Sequence, residues 1–162
     1  MMGKDESHMH ENLSRRLDGF AGSKRRVKGK VEPEWIEAAE KELGYRLPDS
    51  YKWWLQEFGM LRLGGTEIFT LAPPEFQEDA PDDLINQYRL NIEQDWIPKD
   101  RLYLFKPDAD AEFFFDVSQP IVEPDVPVEY PIMLFEPFGA EPEEYADSFV
   151  GFLDRLLQER GH

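Results

Sequence analysis

The side chains able to make or break bonds are few. The only histidines are His8, His10 and His162, all near a terminus, and cysteine is absent. Without Cys there is no thiol nucleophile, no thiolate zinc site and no disulfide framework. A Ser, Thr or Lys nucleophile needs a base in reach, most often His, and the body of the chain supplies none. His8 and His10 at i, i+2 do not converge on a helix, so a metal site there would need carboxylates to complete its shell.

Carboxylates are abundant, with 34 Asp plus Glu against 18 Lys plus Arg in 162 residues. Among so many acids, chance alone produces pairs at the separation a glycosidase requires, so a carboxylate-pair hydrolase has no residues to name. Asp108, Asp110 and Glu112 begin like a calcium loop, but Phe113 stands where such a loop needs Gly and Gln119 where it needs a closing Glu. Gly64 and Gly65 form only LGGT, which is neither phosphate-binding fingerprint. The expectation is a chain with no catalytic residues, no metal and no cofactor.

Charge is divided unevenly along the chain. Residues 1–30 hold eight basic and four acidic side chains, and 31–162 hold ten basic and thirty acidic. A body of this sign repels phosphate backbones and anionic membranes and attracts cationic macromolecules. The stretch SKRRVKGK at 23–30 is read as a solvated connector. No secretory leader is expected, which points to the cytoplasm.

Helical spacing dominates both ends of the chain. Leu13, Leu17 and Phe20 predict a first helix. Pro33 opens a second, with Ile36, Ala39 and Leu43 on one face and Gly44 just past its end. A third follows Pro48 and Asp49, carries Tyr51, Trp54, Leu55 and Phe58 on one face, and stops at Gly59. Trp53, about 100° from Trp54, is expected at the edge of that face.

In the middle the period changes. TEIFTL (66–71), RLYLF (101–105), AEFFFD (111–116) and YPIMLFE (130–136) predict strands of one antiparallel sheet. KPDAD is the turn of a hairpin, and SQPIVEPDVPVE, with three prolines, an exposed loop. Residues 82–94 predict a helix with Ile85, Tyr88 and Ile92 inward. A last helix is expected to start at Pro142, Glu143 and Glu144 and to bury Tyr145, Phe149, Phe152, Leu153 and Leu156. Helices flanking a block of strands make the fold class α+β: a small curved antiparallel sheet with helices from both chain ends packed around it. Residues 1–30 form a tail, first helix and basic connector, and 31–162 the domain.

The stretch IEAAEKELGYRLPDSYKWWLQEFG (36–59) resembles the signature of the SUKH superfamily, the Smi/Knr cell-wall-assembly-regulator-like proteins. Ile36, Glu40, Leu43, Gly44, Leu47, Pro48, Tyr51, Trp54, Leu55 and Gly59 carry the match. ADSFVGFL (146–153) is similar to the family's terminal helix through Ala146, Ser148, Phe149, Phe152 and Leu153. Phe58, Gly59 and Met60 depart from the Asn or Gly pair often found at the close of the third helix.

The resemblance implies an α+β domain and an immunity protein, or antitoxin, that binds a cognate toxin, often a nuclease, and blocks it by occlusion. It also implies, as an alternative, a protein-binding regulatory scaffold in a cell-wall or signalling pathway. It assigns no active site. The expected partner is a basic protein toxin, with no nucleic acid and no membrane, met by a monomer or weak homodimer. The residues expected to meet it are Asp79, Asp82 and Asp83 after the first strand, Asp108, Asp110 and Glu112 at the hairpin, and Glu141, Glu143 and Glu144 at the start of the last helix.

Overall fold

The computed structural model describes residues 10–16, 31–59, 62–63, 66–95, 98–104, 112–136 and 141–159. The chain starts with α1, helical over 10–16, then α2 (Pro33–Leu43) and α3 (Asp49–Glu57). A short ribbon pairs β1 (Arg62–Leu63) with β2 (Thr66–Glu67), and a 3-10 helix (Pro74–Asp79) leads into α4 (Leu84–Gln94). Strands β3 (Arg101–Tyr103), β4 (Glu112–Asp116), β5 (Ile132–Phe135) and β6 (Glu143–Ala146) form an antiparallel sheet in the order β3-β4-β5-β6, and α5 (Phe149–Glu159) closes the chain. The fold is α+β.

The helical periods of the first half are realised as read. Ile36, Ala39 and Leu43 of α2 are buried, as are Tyr51, Trp54 and Leu55 of α3. Gly44 ends α2 at φ 86°, its N–H bonded to the Glu40 carbonyl. A side chain there would meet nothing within 4 Å, so its cost is conformational alone. Gly44→Ala should therefore lower stability by about 1–2 kcal/mol, the cost of a left-handed non-glycine residue, read as a shifted urea midpoint at constant slope.

Alternation along β4 sends Phe113 and Phe115 to one face of the sheet and Phe114 to the other. On the first face α3 and α5 meet the strands. Phe115 lies 5.6 Å from Tyr51, and Phe113 lies 5.3 Å from Phe152. Phe149 of α5 lies 5.2 Å from Tyr51 and 5.6 Å from Trp54. On the second face the Arg101 guanidinium stacks over Phe114 at 4.5 Å and Phe135 at 5.5 Å. Burial lifts the Tyr103 hydroxyl to a pKa of about 12 while it donates to Glu112. Helix α1 joins the same core: Leu13 is buried, His10 stacks on Trp53 at 4.2 Å, and Arg16 pairs with Asp154 at 2.5 Å. Trp53 is half-buried, as its place on the helix requires. Leu17, Phe20 and the hairpin turn KPDAD lie outside the described residues.

Three sequence expectations are corrected. Residues 66–71 do not join the main sheet: Thr66 and Glu67 pair with β1, and Ile68 to Leu71 continue as buried chain tied by Phe69 N–H to Leu104 O at 2.7 Å. Ile92 of α4 is 45% exposed, so the inward face of that helix is carried by Leu84 and Ile85 with Tyr88 half-buried.

The third correction concerns Glu143 and Glu144, which lie on strand β6 and not at a helix start. Pairing of Leu134 with Glu143 and Met133 with Glu144 wins over the helical preference of Pro-Glu-Glu. The helix starts six residues later, where the Ser148 hydroxyl accepts from Gly151 N–H at 3.1 Å. Tyr145 is consequently buried from a strand.

Candidate protein-binding surface

The residues of the 36–59 motif are joined into a corner between α2 and α3. Glu40 reaches back to accept from Leu47 N–H at 2.7 Å and pairs with Lys52 at 3.2 Å. The Tyr51 hydroxyl donates to Phe69 O at 2.5 Å inside the core, where burial holds its pKa well above the usual value. Gly59, at φ 72°, offers its carbonyl to the Thr70 hydroxyl. These positions pack, cap and turn the chain.

The proline-rich loop after β4 is strapped to that corner. Arg46 donates to the carbonyls of Glu123 at 2.6 Å and Val126 at 2.7 Å, and Tyr130 donates to Arg46 O at 2.7 Å. Asp49 and Val128 exchange two bonds, and the Ser50 hydroxyl donates to Glu129. The loop is exposed at Val122, yet its backbone is anchored at both ends.

The nine acidic positions fall into separate places. Asp79 is exposed at the end of the 3-10 helix and Asp82 is half-buried. Asp83 has no exposed surface and is no partner-facing residue. Its carboxylate caps α4, accepting from Asn86 N–H at 2.8 Å and from Ala72 N–H at 2.7 Å. Asp108 and Asp110 lie outside the described residues. Glu112 is half-buried, and Tyr103 occupies one of its oxygens at 2.9 Å. Glu141, Glu143 and Glu144 are exposed.

The sheet order separates what remains. Helix α4 and the 3-10 helix lie on the β3 side, and β6 is the opposite edge, three strand spacings or roughly 14 Å away. Two acidic surfaces result.

The 3-10 ledge carries a residue that spacing did not single out. Phe76 is 60% exposed between Glu75 and the acids Glu78 and Asp79. Beside it a groove of about 430 Å³ opens between the ledge, α2 and α4, lined by Glu42, Glu75, Glu78 and Arg89 among others. Glu42 and Arg89 form a two-bond pair at 2.5 Å across the groove, and that bonding holds the Glu42 carboxyl below its ordinary pKa. Among the described residues no cluster of potential metal ligands occurs, and no helix is long and apolar enough to cross a membrane.

No curated protein matches the chain. A family model, SUKH_6, described as SMI1-KNR4 cell-wall, matches residues 33–153, from the first residue of α2 into α5. That span contains the α2–α3 corner, the strapped loop and the whole sheet, and the chain belongs to the SUKH (SMI1-KNR4) family.

Proposed function

We propose that the chain is an immunity protein that binds and neutralises a cognate basic toxin by occlusion, without chemistry of its own. The observation that carries this reading is the display of carboxylates on ordered elements, the 3-10 ledge and strand β6, of a body with thirty acids and ten bases. A nuclease must present cations to hold phosphate, and carboxylates seated there compete with substrate and speed encounter. Family membership is consistent with this role.

The test co-expresses the chain with basic nuclease toxin domains, beginning with any that the adjacent reading frame encodes. Co-expression should restore growth, and the purified pair should bind with an affinity that falls at least about tenfold between 50 and 500 mM salt, mainly through the association rate. No rescue and no complex would overturn the proposal.

The family description, which names the cell wall, favours a second reading: a regulatory scaffold acting through protein contacts. Rescue of growth against the toxin separates the two.

A further inference from the structure

We infer that the 3-10 ledge at 74–79 is the docking surface, with Phe76 as its apolar anchor, and that its occupant is a basic protein presenting an apolar pocket rimmed by Lys and Arg. The inference rests on the immunity reading and names the face that performs it.

The backbone of this ledge is held in place. Asn86 Nδ2 donates to the carbonyls of Gln77 at 2.8 Å and Glu78 at 3.2 Å. Phe76 N–H bonds Pro73 O, Ala80 N–H bonds Gln77 O, and Gln87 Nε2 bonds Pro81 O. Asp83 fixes the segment leading into the ledge by accepting from Ala72 N–H. An exposed aromatic on so constrained a segment adds nothing to the core, yet loses little entropy when it enters a pocket. That is the character of an interface anchor, an aromatic in a desolvated centre with a charged rim.

Charge selects the occupant. From Ala72 to Tyr88 there is no Lys or Arg, and Arg89, the first cation after it, is engaged by Glu42. A second copy docked through its own ledge would bring the same acids against Glu75, Glu78 and Asp79, and a nucleic acid would bring phosphates.

The probe is the toxin domain against which co-expression of the chain restores growth, purified and titrated against the full chain and its variants. Phe76→Ala should raise Kd at least about thirtyfold, chiefly through dissociation. Glu75→Gln with Glu78→Gln should raise it about tenfold through association, with a flatter salt dependence. Val122→Ala, a truncation of an equally exposed side chain on the proline-rich loop, should leave Kd within about twofold. In Phe76→Trp the emission in excess of the wild type, which separates the new ring from the four native tryptophans, should shift to the blue on binding.

If Phe76→Ala binds normally while Glu143→Gln with Glu144→Gln weakens the complex, the ledge is not the interface and the immunity reading survives. If the wild-type chain forms no complex, both fall. An excess emission of Phe76→Trp over the wild type that is already blue-shifted in the free chain would mean that the ledge is covered from within, and would overturn the inference.

Discussion

Asp83→Ala should lower the unfolding free energy by about 3 kcal/mol while leaving the fold recognisable by circular dichroism. The side chain has no exposed surface and satisfies two backbone donors, Asn86 N–H in the first turn of α4 and Ala72 N–H at the base of the ledge. Loss of a helix cap costs about 1 kcal/mol, and a buried N–H left without a partner about 1–3 kcal/mol. Asp83→Asn should fall between, because its amide oxygen can cap the helix but its NH₂ then faces the Ala72 donor. Hydrogen exchange at 72–80 should accelerate more in the alanine variant than exchange in the sheet, since this carboxylate joins the ledge to α4.

The same residue gives a signed pH dependence. Burial is the largest influence on Asp83 and raises its pKa above 3.8, although backbone donors, Ala72 first, pull the other way. The folded state therefore binds this proton more tightly than the unfolded chain. Its contribution is fully favourable below the unfolded pKa and is lost as pH rises through the raised folded value. Between neutral pH and pH 4 the wild type should gain stability relative to Asp83→Asn. Urea midpoints of the two proteins at several pH values measure the difference, and parallel curves would contradict it.

Trp54→Ala should cost about 4 kcal/mol, and Trp53→Ala, one residue earlier, only about 1–2 kcal/mol. Trp54 has no exposed surface and stands 5.7 Å from Tyr51 and 5.6 Å from Phe149, at the point where α3 meets α5. Trp53 is half-buried and meets His10 of α1 and Phe58. Equal effects in denaturant titration would mean that α1 contributes as much packing as the sheet-facing core.

The difference between adjacent tryptophans was legible from spacing, because a helix turns each residue by a fixed angle whatever lies around it. The α2 stop at Gly44 and the burial of Ile36, Ala39 and Leu43 were legible for the same reason. Strand β6 was not. Pro142, Glu143 and Glu144 satisfy the local rules for a helix start, and the deciding contact is with Met133 and Leu134, on the preceding strand. Residues 66–71 mislead in the same manner: their β-branched and aromatic content reports burial, which Ile68, Phe69 and Leu71 achieve without joining the main sheet.

Within the candidate surface, composition located the acids but not their exposure. Asp83 looked like Asp82 until the capping bond to Asn86 was seen, although an Asp just before an apolar helical face is itself a cap signal. Phe76 sits in PPEFQED, where neither a helical nor a strand period can say which way one aromatic points.

The strapped corner has a consequence for biosynthesis. Ser50 bonds Glu129 and Arg46 bonds Val126, partners 79 and 80 positions downstream. On a translating ribosome the corner stays open until those residues emerge, a wait of roughly 4–16 seconds at typical elongation rates. During that interval Tyr51 and Trp54 lack their α5 neighbour as well, so the nascent chain offers chaperones an aromatic helix that the finished protein conceals.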